Sequence, residues 1–249
     1  MGAGRDRGPF RVALAAAAVT LLACASAQAA TVTIGSQLGP PSGNPASGVD
    51  RTWAIAGPAS AGGTESPVAG TVISWGFRGS VTGIYTPRVL RPGGGGTYRA
   101  VLSGVAQAGA GTATAAGPFP TALSIEAGDL FAVDVPAGKF LSYTDAPGIT
   151  SIGWNPPLLD GGPATAPTDD DAGEQRQIAA TVRYCVVPKL KKKSPKKAKK
   201  ALWAADCTPG KVKRTKKERR RKQVLSQSVK PGTAISDTAP VNIKISRKR

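Results

Sequence analysis

Lysine and arginine are the side chains whose number and spacing most clearly suggest a chemistry in this chain, namely the binding of anions. Residues 185–249 hold 22 of the 33 Lys and Arg residues but three of the 15 acidic residues, which gives this segment a formal charge of +19. The whole chain carries +18, so the remainder is close to neutral. Positive charge this dense attracts anionic polymers and makes their binding depend on salt.

Two lysine-rich runs, residues 189–200 and 211–222, contain the candidate binding residues. Runs of this kind are often solvated or bind nucleic acid. Here they frame elements that have a plausible apolar core, so we expect them to lie on a folded domain. The predicted basic surface consists of Lys196, Lys197, Lys199, Lys200, Lys216, Lys217, Arg219, Arg220 and Arg221.

The chain has few residue patterns that could support catalysis. The chain contains no histidine, which excludes Ser-His-Asp and Cys-His catalysis and histidine metal sites. Ser194–Lys197 places a serine beside lysines, but this segment is too rich in lysine to be a buried nucleophile site. Gly93–Gly96 lacks the lysine and the helix that a phosphate-binding loop needs. We therefore expect a protein that is not an enzyme and that has no cofactor and no metal.

Two further groups of side chains leave ligand binding open in residues 31–184. Asp169–Asp171 and Glu174 offer carboxylates of the kind that Ca²⁺ prefers, but their spacing is not that of an EF-hand loop, so a solvated acidic loop is the favoured interpretation. Trp53 and Trp154 lie near predicted loops and are candidates for stacking on a sugar ring. Trp75 lies on the apolar face of an alternating strand and is expected in the core.

The N-terminus predicts export. Three arginines precede Val12–Ala23, an apolar run of twelve residues that is short for a bilayer span. Ala27–Ala29 has the small-x-small pattern of a cleavage site. Residues 1–29 are therefore interpreted as a signal peptide, and the mature chain is expected to be extracellular or in the cell envelope without a transmembrane helix. Cys24 ends a segment that resembles a lipobox, which leaves lipid anchoring open beside free secretion.

The other two cysteines predict a disulfide. If Cys24 leaves with the signal peptide, Cys185 and Cys207 have only each other as an intramolecular partner, and an even number of cysteines in an exported chain favours pairing. A loop of this length would restrict the unfolded chain by about 3 kcal/mol. Two cysteines without histidine cannot complete a zinc site.

Residues 31–184 show the alternation of β-strands between turns rich in glycine and proline. About eight short strands are predicted, the clearest at 72–78, 130–135 and 177–184; in the first, Ile73, Trp75 and Phe77 share one face. The segments 35–70 and 155–173 are expected to be long loops. The pattern predicts an antiparallel sandwich that resembles a jelly roll.

Residues 185–249 show a different pattern. After a short strand at 186–188, Ser194 can cap a helix that accepts Pro195 in its first turn. Strands are predicted near 211–215, 223–228 and 241–246, which gives a small α+β domain with one helix against a three-stranded sheet. The helix has a single apolar face, formed by Ala198, Ala201, Leu202 and Ala205.

This order of elements resembles a PASTA domain, the small module of penicillin-binding proteins and bacterial Ser/Thr kinases. The resemblance covers about 65 residues, and it implies binding to peptidoglycan. The chain departs from the family pattern at Glu218–Lys222, where a Pro-x-Gly pair is usual, and at Val229, where proline is usual. The matching residues are Val187-Pro188, the helix with Leu202, Gly210 and Val212, the segment Val224–Ser228 with Pro231–Thr233, and the closing strand Val241–Ser246.

Together these features predict an exported, non-enzymatic cell-envelope protein whose C-terminal module binds peptidoglycan or another anionic envelope polymer. Export removes intracellular nucleic acid from the candidate partners. Two alternatives stay open: a generic binder of extracellular polyanions such as nucleic acid, and a carbohydrate-binding β-sandwich. The pattern leaves the ligand of residues 31–184 and the oligomeric state unassigned.

Overall fold

The computed structural model describes residues 30–219 and 223–247. The predicted signal peptide with Cys24, and also Arg220 and Arg221, lie outside these ranges. A short 3₁₀ turn, Ala59–Ala61, follows the second strand. The strands of the N-terminal part are β1 (Ala30–Gly35), β2 (Arg51–Ala56), β3 (Gly70–Gly79), β4 (Ile84–Gly94), β5 (Thr97–Ser103), β6 (Gln107–Ala108), β7 (Gly111–Ile125), β8 (Leu130–Val135), β9 (Tyr143–Trp154), β10 (Asp169–Arg176) and β11 (Ile178–Val186).

The C-terminal part contains one helix and four strands among the described residues. These elements are α1 (Pro195–Trp203), β12 (Thr208–Arg219), β13 (Val224–Gln227), β14 (Ala234–Ser236) and β15 (Pro240–Arg247). No helix in the ranges given above has the length and apolar character needed to cross a membrane.

Strands β1 to β11 form two antiparallel sheets. One has the order β1-β11-β3-β7, and the other has the order β10-β9-β2-β8-β4-β5, with β6 paired to β4. Eight strands remain when β6, β9 and β10 are set aside. Counted in chain order, the first, eighth, third and sixth of these (β1, β11, β3 and β7) form one sheet. The second, seventh, fourth and fifth (β2, β8, β4 and β5) form the other. This is the strand order of a jelly roll. The predicted fold class of the N-terminal part is therefore confirmed.

The core between the two sheets is built around aromatic side chains. The ring centroids of Trp75 and Phe77 on β3 lie 5.3 Å apart, and Phe77 lies 4.2 Å from Tyr85 on β4. Phe131 on β8 completes the group at 6.1 Å from Trp75. All four side chains are buried, so Trp75 is a core residue as expected from its place in the alternating pattern.

A β-bulge in β3 changes which residues face this core. Thr181 and Val182 are consecutive on β11, but they pair with Ser74 and Val72 on β3, so Ile73 is the extra residue of the bulge. As a result Val72 is fully buried in the core, whereas Ile73 is half-buried. The expectation that Ile73 shares a face with Trp75 and Phe77 is wrong, because the extra residue of a bulge reverses the alternation of side chains.

The segment 35–70, expected to be a loop, contains β2 in the middle of the larger sheet. Trp53 and Ile55 face the sandwich core, and Ala54 packs with Leu158 in a second apolar cluster on the outer side of the same sheet. A strand that is covered on both faces has no alternating pattern to reveal it. The other expected loop, 155–173, likewise ends in a strand, since β10 begins at Asp169.

The helix and the three strands of the C-terminal sheet follow the predicted order, but the short strand predicted at 186–188 is not a separate element, because Val186 is the last residue of β11. The Ser194 hydroxyl caps α1 by accepting a hydrogen bond from the Lys197 amide at 3.3 Å, and Pro195 occupies the first turn. Ala198 and Leu202 lie on the buried face of the helix. In the sheet β12-β15-β13, β15 is parallel to β12 and antiparallel to β13. The predicted α+β arrangement is confirmed.

Strand β14 joins the two parts of the protein, because it pairs with β11 of the sandwich and not with the C-terminal sheet. Just after it, Asp237 is buried, with 7% of its surface exposed. Its carboxylate accepts a hydrogen bond of 2.7 Å from the Thr71 hydroxyl and forms an ion pair of 2.9 Å with Arg183. Its backbone carbonyl accepts a hydrogen bond from the Thr208 hydroxyl at 2.7 Å.

We expect Asp237→Ala to lower the free energy of unfolding by about 1–3 kcal/mol, because it leaves the buried hydroxyl of Thr71 and the charge of Arg183 without their acceptor. Urea titration followed by tryptophan fluorescence measures this loss. The matched control is Asp170→Ala, which removes the same charge from an exposed side chain on β10 and should change stability by less than about 0.5 kcal/mol. Equal effects of the two substitutions would contradict the role given to Asp237.

Candidate binding surface

The predicted disulfide between Cys185 and Cys207 is present. The two residues are 22 positions apart, with their Cα atoms 4.9 Å from each other, and both side chains are buried. Cys185 lies near the end of β11, and Cys207 lies between α1 and β12. The bond therefore ties the last strand of the sandwich to the start of the C-terminal sheet.

A groove runs along the outer face of the C-terminal sheet and has a volume of about 480 Å³. Val241, Ile243 and Ile245 of β15 point toward the domain core, so the residues between them point outward into this groove. The groove is lined by Lys211, Lys213, Ser226, Gln227, Ser228, Asn242, Ile243 and Lys244.

Three lysines give the groove its charge. Lys213 and Lys244 are direct neighbours in the parallel register of β12 and β15, and like charges in neighbouring positions of a sheet repel each other. Lys211 lies on the same side, and all three side chains are exposed. In the part of the chain whose side chains are described, the ion pairs all use arginine, and none involves these lysines. An anionic ligand would relieve this repulsion.

Backbone and side-chain hydrogen bonds hold the floor of the groove. The Lys211 amide donates to Oδ1 of Asn242 at 2.7 Å, and the Asn242 amide donates to the Ser228 hydroxyl at 2.9 Å. A Cβ atom at Gly210 would lie 2.4 Å from Oδ1 of Asn242, so a larger residue there would displace this side chain from its hydrogen bond with Lys211. The lysine stems therefore project from a rigid base.

Gln227, the glutamine of the Val-x-x-Gln segment, holds the fold together. Its Nε2 donates to the carbonyls of Pro188 at 3.1 Å and Val229 at 2.9 Å, and its Oε1 accepts from the Leu190 amide at 2.9 Å. The side-chain amide thus ties β13 to the chain that leads into α1. Since these bonds are internal, Gln227 shapes the edge of the groove more than it offers free groups to a ligand.

The structure divides the predicted basic surface. Lys196, Lys197, Lys199 and Lys200 are exposed on α1, which packs on the side of the sheet opposite the groove. Among the remaining predicted residues, Lys216, Lys217 and Arg219 belong to β12, and the other two arginines lie outside the described ranges.

The sequence interpretation did not single out Lys211, Lys213 or Lys244. The signal that identifies them is alternation, since each lies beside an apolar residue of a predicted strand and therefore faces the opposite side. Lys211 and Lys213 flank Val212, and Lys244 lies between Ile243 and Ile245.

The two tryptophans predicted to stack on sugars are buried. Trp53 is 7% exposed, and its ring lies under the guanidinium of Arg176 at 4.5 Å. Trp154 is 1% exposed, contacts Tyr98 edge to face, and donates from Nε1 to the Thr165 carbonyl at 3.1 Å. Neither ring has a face open to a sugar, which corrects the expectation of an exposed platform at these positions.

Arginines pair with three of the four carboxylates of the acidic segment on β10. Asp169 forms an ion pair with Arg51, and Arg176 pairs with both Asp171 and Glu174. In the described part of the chain, no group of three or more His, Cys, Asp or Glu residues has the arrangement of a metal site. These carboxylates stabilise the edge of the sandwich.

Comparison with known proteins agrees with the C-terminal geometry. Residues 186–247 match the family model of the PASTA domain, so the predicted C-terminal PASTA domain is confirmed, while the N-terminal region has no family match. Searches of the curated proteins and of the solved structures found no match to the chain. PASTA domains bind peptidoglycan-like ligands, and the match therefore associates the chain with the cell envelope.

We expect loss of the disulfide, in the double variant Cys185→Ser and Cys207→Ser, to lower the free energy of unfolding by about 3 kcal/mol, the value for closing a loop of this length. Urea unfolding of the oxidised protein and the variant measures the difference. Addition of a reductant should lower the stability of the parent protein by a similar amount and leave that of the variant unchanged. A reductant effect of the same size in both proteins would contradict the assignment.

Proposed function

We propose that this chain is an exported, non-enzymatic protein of the cell envelope that binds peptidoglycan, or an anionic polymer attached to it, through the groove on its C-terminal sheet. The observation that carries the proposal is the cluster of Lys211, Lys213 and Lys244 in a domain that matches the PASTA family.

The groove suits a ligand that combines negative charge with many hydrogen-bonding groups. Lysine is a flexible point charge that accepts carboxylate or phosphate without a fixed geometry. Ser226, Ser228 and Asn242 lie beside the lysines and provide groups that can bond to sugar hydroxyls or peptide amides. Wall glycans and their peptide stems carry these same groups in close succession.

An envelope location is supported by the disulfide, because such bonds persist outside the reducing cytosol. The predicted signal peptide points the same way. Free secretion and lipid anchoring through Cys24 remain alternative routes to the envelope. In either case the lysines meet wall polymers and not intracellular nucleic acid.

A generic binder of extracellular polyanions is the second candidate. It is favoured by the exposed lysines of α1, which add positive charge on the side away from the groove. In that case the affinity would depend on the number of positive charges on the domain and not on the positions of individual lysines. Sugar stacking on the sandwich lacks its two candidate rings, because Trp53 and Trp154 are buried.

Sedimentation of the oxidised full chain with purified sacculi, across a salt series and with a DNA competitor, tests the proposal. We expect the double variant Lys213→Gln and Lys244→Gln to weaken binding at about 0.1 M salt by roughly tenfold, equivalent to about 1.4 kcal/mol. The matched control, Lys191→Gln with Lys193→Gln, removes two exposed charges from the loop before α1 and should weaken binding less than about threefold.

The outcomes separate the two candidates. Binding that resists DNA and depends on the groove lysines supports wall recognition. Equal losses in the two double variants, with release of the protein by DNA, favour the polyanion binder. Failure of the full chain to sediment with sacculi even at low salt would overturn the proposed function.

A further inference from the structure

Trp203 differs from the other three tryptophans in its exposure. It is 62% exposed, whereas Trp53, Trp75 and Trp154 are 7%, 2% and 1% exposed. An indole ring left in water gives up the favourable free energy of burying its large apolar surface. Exposed aromatic rings beside charged groups are common at binding sites, where a ligand supplies that burial.

The surroundings of Trp203 are basic. Lys196, Lys199 and Lys200 precede it by seven, four and three positions on α1, so all four side chains lie on one face of the helix. The opposite face holds Ala198 and Leu202, which are buried against the domain core. The helix therefore presents one aromatic ring bordered by three exposed lysines.

The ring has room for a partner. The ring stacking and cation–π contacts in the described part of the chain involve Trp53, Trp75 and Trp154, but not Trp203. The neighbouring lysine ammonium groups thus leave the ring face open. A flat apolar surface beside positive charges complements a ligand that has a flat apolar face and nearby negative charges.

We propose that Trp203 stacks on a sugar ring of an anionic glycan, while Lys199 and Lys200 bind the carboxylate or phosphate groups of the same glycan. The axial C–H groups of a pyranose form an apolar face that matches an indole ring. This inference rests on the proposed function, and it adds a second contact surface on the side of the domain opposite the groove.

A glycan fits this surface better than a membrane does. Helices that lie in a membrane interface bury a broad apolar face among the lipids. The apolar face of α1 is already buried against its own sheet, and the exposed face offers one ring among lysines. A single ring is enough for stacking on one sugar but too little for insertion into lipid.

Acrylamide quenching of tryptophan fluorescence tests this inference, because Trp203 is the exposed tryptophan and the neutral quencher is not attracted by the lysines. The probe is soluble glycan from muramidase-digested sacculi, added to the oxidised full chain. We expect saturating glycan to reduce the quenching constant at least twofold. Trp203→Ala should weaken glycan binding roughly tenfold, the scale of one lost stacking contact, with an unchanged slope of log affinity against log salt.

Two further variants separate stacking from charge. Trp203→Phe keeps a flat ring and should recover part of the lost affinity. Lys199→Gln with Lys200→Gln should weaken binding and also reduce the salt slope. Both changes lie on exposed positions, and circular dichroism checks that the fold is retained.

Failure of this inference is distinguishable from failure of the proposed function. If glycan binds and the groove variant weakens it, but quenching and the Trp203→Ala affinity are unchanged, the role of Trp203 is overturned and the groove proposal stands. Protection of Trp203 by anionic phospholipid vesicles or by single-stranded DNA, without protection by glycan, would also overturn it. If no wall material binds the chain, both proposals fall.

Discussion

The carboxylate of Asp237 lies where the C-terminal domain meets the sandwich, and the relation between the two depends on its contacts. Thr71 donates to it from β3, and Arg183 pairs with it from β11. A charge removed from water needs such partners, because an unpaired buried carboxylate is costly. Since β14 also pairs with the end of β11, backbone and side-chain contacts act together to set one orientation. The outer face of the C-terminal sheet and the exposed face of α1 remain open in that orientation.

The C-terminal domain combines a small core with a charge of +19 over residues 185–249. Dense positive charge favours expansion of a chain, so the folded domain needs constraints beyond its apolar cluster. The disulfide supplies one of them, and the pairing of β14 with β11 supplies another. A small domain with few buried side chains commonly depends on such additions. An anion bound in the groove would relieve the repulsion that remains among its lysines.

Charge is used differently in the two parts of the protein. In the sandwich, arginines pair with carboxylates on the same or nearby strands and in loops, so these ions satisfy one another. In the C-terminal domain, the lysines on both faces point into solvent. Under the proposed function, the basic module would hold the sandwich, which carries little net charge, close to the wall. Two separate contact surfaces on that module would raise its affinity for a polymer that reaches both, because the second contact forms at high effective concentration.

The residues alone determined the fold of the C-terminal domain, because the helix cap at Ser194, the apolar helix face and the alternation of Val241, Ile243 and Ile245 act over short distances. They also determined the β-sandwich class. The disulfide followed from the small number of cysteines. The strand β2 and the bulge at Ile73 depended on the tertiary structure, because the strand is buried on both sheet faces and the bulge arises from pairing with a distant strand. The same holds for the candidate binding residues. Exposure of each tryptophan, the position of Lys213 beside Lys244 and the docking of Asp237 are set by contacts between residues far apart in the chain, which a local pattern does not contain.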